Sequence, residues 1–146
     1  MRVAFLALFM AGVTMVPACT RTAAEPGTSP APASSSSAQL ANPASAHCVE
    51  SGGRLSLEKD GGGGEFGVCL FEDNYQCEEW ALLRGQCRAG GVRITGYATA
   101  AGRYCAIRGG RYTVTSGAAS DERGNCALPD GRSCDADEFF GGTCGR

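Results

Sequence analysis

Eight of the nine cysteines form a frame that occurs twice, and no other feature limits the fold so strongly. Cys48, Cys69, Cys77 and Cys87 are separated by steps of 21, 8 and 10. Cys105, Cys126, Cys134 and Cys144 repeat those steps at a constant offset of 57. Agreement at every cysteine marks an internal repeat. Each unit, roughly 45 residues long, is too small to be stable on an apolar core alone and requires a staple. As metal ligands, the cysteines lack pairs two or three residues apart, and as redox catalysts they lack a Cys-x-x-Cys. An even number in small, exported units reads as structural disulfides.

Export is read from the N-terminus. Met1-Arg2 is a short positive start and residues 3–16 are almost wholly apolar, a signal-peptide core too short to span a bilayer. The run ends in Val16-Pro17-Ala18-Cys19, which resembles the bacterial lipobox, although Pro17 stands where a small residue is usual. Ordinary cleavage after Ala18 would leave Cys19 a free thiol in an oxidising compartment, so the lipidated reading is preferred. The chain then divides into a signal peptide (1–18), a lipidated Cys19 with a disordered tether (19–41), a first unit (42–88), and a linking strand with a second unit (89–146). The tether is rich in Pro and Ser and has little to bury. Thr20 after the lipidated position points to the outer membrane, with a periplasmic or secreted form as the alternative. A formal charge of −2 without basic runs argues against nucleic acid as a partner.

Within the first unit, Asn42-Pro43 has the form of a helix cap followed by a first helical residue, and Gly52-Gly53 ends that helix. Residues 54–58 alternate as a strand, 60–64 turn, and 65–71 return as its hairpin partner. The glycine run lacks the Lys-Ser/Thr of a phosphate loop and reads as the hairpin tip. A tight turn at 72–74 is closed by Phe71 and Tyr75, and this sets Cys69 opposite Cys77. Residues 77–84 read as a short helix stopped by Gly85. In the second unit, 104–110 parallel 47–53, 111–115 form a strand, 116–122 its hairpin tip, and 124–128 the return. Pro129-Asp130-Gly131 is a type I turn, setting Cys126 opposite Cys134. Residues 92–97 alternate as a strand linking the units. The expected class is small, disulfide-rich α+β: two tandem units, each with a short helix, a hairpin or small antiparallel sheet, and a second short helix.

The strings Asn42-Pro43-Ala44-Ser45, Gly67-Val68-Cys69 and Cys77-Glu78-Glu79-Trp80 through Gly85-Gln86-Cys87 resemble the bacterial domain of unknown function 333. The resemblance covers the first unit and, more loosely, the second. It implies small lipoproteins often labelled hemolysins, and supplies no catalytic residues. The second unit departs from the pattern: Thr99-Ala100-Ala101-Gly102 replaces the capping string and Asp137 replaces Trp80.

Four cysteines per unit allow three pairings. Turn geometry favours Cys69–Cys77 with Cys48–Cys87, and Cys126–Cys134 with Cys105–Cys144. Cys48–Cys69 with Cys77–Cys87 is the main alternative. No catalytic residue, metal site or cofactor is assigned. His47, the one histidine, reads as a partly buried aromatic slot, since Tyr104 holds the equivalent place. Glu78-Glu79 reads as a solvent-exposed pair complementing a helix dipole, and Trp80 as the core anchor of its unit. The expected protein is a non-enzymatic envelope component held to the membrane by its lipid and binding an unknown protein or envelope ligand. An inhibitor or hemolysin-like secreted factor is the alternative.

Overall fold

Asn42 accepts a hydrogen bond from the Ala44 N–H at 3.0 Å, with Pro43 at the first helical position, and so starts α1 (Pro43–Glu50). The structure is a computed structural model describing residues 42–144; the expected signal peptide, Cys19 and tether lie outside the described residues. After α1 the chain forms the antiparallel hairpin of β1 (Arg54–Lys59) and β2 (Glu65–Leu70). Asp60 holds the glycine-rich tip by accepting from the N–H groups of Gly62 and Gly64 at 2.9 and 2.7 Å. The Phe71 N–H donates to the Tyr75 carbonyl at 2.9 Å, which sets β3 (Tyr75–Glu78) beside β2 with Cys69 opposite Cys77, as expected. The short helix α2 (Glu79–Leu83) follows, and Gly85 leaves it at φ 69°, a conformation that favours glycine. β4 (Val92–Arg93) pairs with β3, so the linking strand joins the first sheet, ordered β1-β2-β3-β4.

The second unit repeats the pattern. Thr99 caps α3 (Ala100–Ile107) by accepting from the Gly102 N–H at 3.1 Å, so the cap survives the change of residue. β5 (Arg111–Ser116), β6 (Arg123–Ala127) and β7 (Ser133–Asp135) form a three-stranded antiparallel sheet, with Cys126 opposite Cys134. The β6–β7 turn has Gly131 at φ 88°, and α4 (Ala136–Phe140) ends the described chain's regular structure. The fold is therefore the small, disulfide-rich α+β type, in two tandem copies.

The favoured disulfide pairing is corrected. The bonds are Cys48–Cys69 and Cys77–Cys87, then Cys105–Cys126 and Cys134–Cys144, with Cα–Cα distances of 5.6, 5.9, 5.7 and 6.1 Å. Register alone does not choose the partner. Cys69 and Cys77 face each other and point to one side of the sheet, but that side is covered by α1 and by the chain after α2. Cys48 and Cys87 descend from this layer, so each strand cysteine meets a partner from outside the sheet. A bond between Cys69 and Cys77 would join strands that the ladder already holds, and leave Cys48 and Cys87, both buried, to find each other elsewhere. Around the two bonds pack Ala81, Leu82, Leu55, Phe71 and Val92.

The opposite face of the first sheet is covered by the second unit. Ser56 and Glu58 of β1, Phe66, Val68 and Leu70 of β2, and Gln76 and Glu78 of β3 share this face by register. The Arg103 guanidinium of α3 donates to both Glu58 carboxylate oxygens at 2.7 and 2.8 Å and to the Gln76 side-chain carbonyl. Tyr104 meets Phe66 edge to face at 5.0 Å and is also flanked by Phe139 and Phe140 at 5.1 and 5.4 Å. Val68 and Ile107 are fully buried. α3 thus covers its own sheet with one side and its neighbour's sheet with the other.

In the chain-entropy treatment, the 21-residue and 10-residue loops are each worth about 3 kcal/mol. Proteolysis without reduction, followed by mass spectrometry, should yield peptides joined through Cys48–Cys69 and Cys105–Cys126. Peptides joined through Cys48–Cys87 would contradict this connectivity. Excess reductant should abolish the near-ultraviolet circular dichroism of both units.

Candidate functional site

Two acids mark the start of α2, and neither lies in solvent. Glu78 is 1% exposed and Glu79 5% exposed, which corrects the reading of a solvated pair. A buried carboxylate is costly unless donors surround it. Glu78 accepts from the backbone N–H groups of Trp80 and Ala81 at 3.0 and 2.9 Å, capping its helix, and Arg108, the residue that caps the end of α3, approaches its carboxylate at 3.5 Å. Glu79 turns the other way, over the cysteine side of the first sheet. Asn42 Nδ2 donates to it at 2.8 Å and Ser45 Oγ at 2.6 Å. Space for the carboxylate exists because residue 67 has no side chain: a Cβ on Gly67 would come within 2.6 Å of Glu79 Oε2. Asn42, Ser45, Gly67 and Glu79 are therefore one construction, tying α1 to α2 across the sheet.

The second unit solves the same packing problem without charge. At the equivalent positions stand Thr99, Gly102, Gly124 and Ala136, and Tyr112 replaces Leu55. The Tyr112 ring occupies the space: a Cβ on Gly102 would lie 2.9 Å from it, and one on Gly124 would press into it more closely still. Burial raises the pKa of the Tyr112 phenol, whose oxygen is buried beside Thr99 and Glu122.

Trp80 is 39% exposed and is not the core anchor; Ala81 and Leu82, buried beside Cys48 and Cys69, take that role. The helix begins one residue after Glu78, so the Trp side chain emerges from the outer surface. His47 is half-buried on α1, in agreement with its reading as a partly buried slot. Of the residues 116–122, all but Glu122 are exposed, and Ala119 holds φ 51°.

Sequence reasoning did not find the cleft where the two units meet. It encloses about 220 Å³. Arg84 and Gln86 come from the end of α2, Arg108 from the end of α3, and Asp130 and Arg132 from the β6–β7 turn. Leu128, Pro129 and Phe139 supply its apolar walls. Each guanidinium is held by a neighbour. Arg84 Nε donates to the Gln86 side-chain carbonyl at 3.0 Å, and Arg132 pairs with Asp130 at 2.8 Å. Arg108 lies over the rings of Tyr104 and Phe139, 5.4 and 5.9 Å from their centroids. Burial raises the Tyr104 pKa, against the lowering pull of Arg108. These arginines sit at three element ends far apart in sequence, so no local pattern announces them.

A protein-family model described as Domain of unknown function (DUF333) matches the chain twice in tandem, over residues 39–86 and 96–143. No curated protein and no solved structure matches it.

Glu79→Ala leaves the Asn42 and Ser45 donors without their acceptor and should lower the unfolding free energy by about 2 kcal/mol in urea denaturation. Adding Ser45→Gly and Leu55→Tyr, the second unit's own solution, should recover part of that loss. No recovery would show that the two networks are not interchangeable.

Proposed function

The chain belongs to the DUF333 family, a domain of unknown function, and from that premise we propose an exported, lipid-anchored envelope protein whose two stapled modules bind rather than catalyse. The observation that carries this reading is the use made of the buried acids. Glu78 and Glu79 are each taken up by two donors that shape the fold, which leaves them poorly placed to move protons for a substrate. Binding is supported by the cleft at the junction of the units. Its arginines are oriented by internal contacts, which lowers the entropic cost of holding a ligand.

Four disulfides suggest an exported or extracellular protein. The finer location follows from the Val16-Pro17-Ala18-Cys19 string: acylation at Cys19 and attachment to the envelope, at the outer membrane in a cell that has one. Anchoring by lipid does not require a spanning helix, and among the described residues no helix is long and apolar enough to cross a membrane.

A second reading, an inhibitor or hemolysin-like secreted factor, draws on the exposed 116–122 loop carried on a stapled hairpin. Protease inhibition lost on replacing that loop would favour it, and so would lysis of red cells by the purified protein.

The anchored form should fractionate with membranes and show the mass of an acylated chain, whereas Cys19→Ala should lose both properties. A soluble wild-type chain with an unmodified thiol would overturn the anchor. Pull-down from envelope extracts with the anchored form should enrich a partner, and no enrichment by wild type over empty membranes would count against the binding role.

A further inference from the structure

We propose that the cleft between the units binds a small organic monoanion: a carboxylate carried on an apolar, ring-sized body. This rests on the binding role argued above and names the ligand class. Charge sets the valence. Arg84, Arg108 and Arg132 face two carboxylates, Asp130 and Glu78, so the cleft and its paired groups carry one net positive charge. The surplus lies with Arg84, whose side-chain partner is the neutral Gln86 amide. A singly charged carboxylate balances that surplus; a dianion would confront Asp130 in the same wall. The planar guanidinium fork matches the two oxygens of a carboxylate.

Shape sets the rest of the ligand. Leu128, Pro129 and Phe139 give the cleft apolar surface beside the guanidiniums, which a bare anion would leave wet. A cleft of about 220 Å³ is smaller than common drug-sized sites, which fits a single ring or branched chain with its acid group. The site needs both copies. Arg84 and Gln86 belong to the first unit, while Arg108, the turn and Phe139 belong to the second. Arg108 is positioned by Glu78 from across the junction, so docking of the units also sets the site.

The test uses the full exported chain in detergent, followed on the arginine Nε–Hε resonances by two-dimensional NMR. Phenylacetate is the probe, with acetate, phenylacetamide and inorganic phosphate as comparisons. Phenylacetate should shift the Arg84 and Arg132 signals saturably, and bind at least about tenfold more tightly than acetate or phenylacetamide. Arg84→Gln should weaken phenylacetate at least about fivefold while leaving the thermal midpoint unchanged, because among the described residues this exposed side chain bonds only to Gln86. Absence of saturation, or saturation untouched by Arg84→Gln, overturns the proposal. Equal or tighter binding of inorganic phosphate also overturns it, since the apolar walls and charge count would then be irrelevant. Capture of an envelope partner by a chain that fails with phenylacetate sinks the ligand class and leaves the binding role standing.

Discussion

The covalent tie from helix to sheet is the constraint on which the rest of this protein depends. Seven of the sixteen buried apolar residues among those described are cysteines, and five more are alanines. Val68, Leu82, Tyr104 and Ile107 are the larger side chains that remain. Side chains so few cannot by burial alone offset the entropy of ordering two small units. The disulfides act on the unfolded chain by closing its loops and on the folded one by filling its interior with sulfur. The bonds Cys48–Cys69 and Cys105–Cys126 fix the first helix of each unit to an inner strand of its sheet. The bonds Cys77–Cys87 and Cys134–Cys144 then hold the end of the second helix against the third strand.

With each unit stapled separately, the surface between them became free to specialise. The junction joins unlike faces: the outer face of the first sheet receives α3 of the second unit. Where the first sheet presents Phe66, Val68 and Leu70, the second presents Arg123, Asn125 and Ala127, and these are exposed. Where α3 presents Arg103, Tyr104 and Ile107, α1 has Ala46, His47 and Glu50. Divergence between the copies thus extends from the internal networks to the surfaces that meet and to their counterparts on the other sheet and helix. A head-to-tail contact of this kind could in principle continue with a third unit. Arg123 and Asn125 on the second sheet, and His47 and Glu50 on α1, are polar residues that disfavour such stacking.

The repeated frame, the alternating strands and the turn chemistry made most of the architecture legible in advance. Phe71 and Tyr75 close their turn and set Cys69 opposite Cys77, as the spacing implied. The pairing was not legible for a physical reason: strand register says which residues are neighbours, and the helix layer above the sheet says which sulfur each one meets. Glu78 and Glu79 illustrate the same limit. Two acids at a helix start satisfy the dipole rule in solvent or in the interior. The decision lay with Asn42 and Ser45, more than thirty residues earlier, and with the absent side chain at Gly67. Size alone points Trp80 to the interior, whereas alanine and sulfur fill this core and leave the ring 39% exposed.

The junction also explains why chemistry-bearing groups collect there. A buried carboxylate at Glu78 requires a cation, and the one that reaches it, Arg108, belongs to the other unit. Holding Arg108 against Tyr104 and Phe139 draws an aromatic wall to the same place. The β6–β7 turn then contributes Arg132 beside its own counter-ion, and the end of α2 contributes Arg84, which has none among the described residues. Unequal pairing leaves positive charge beside the second unit's apolar walls, and the first unit adds Arg84 to it. Duplication therefore did more than double a scaffold: it created a boundary whose own stabilising contacts assemble a cleft.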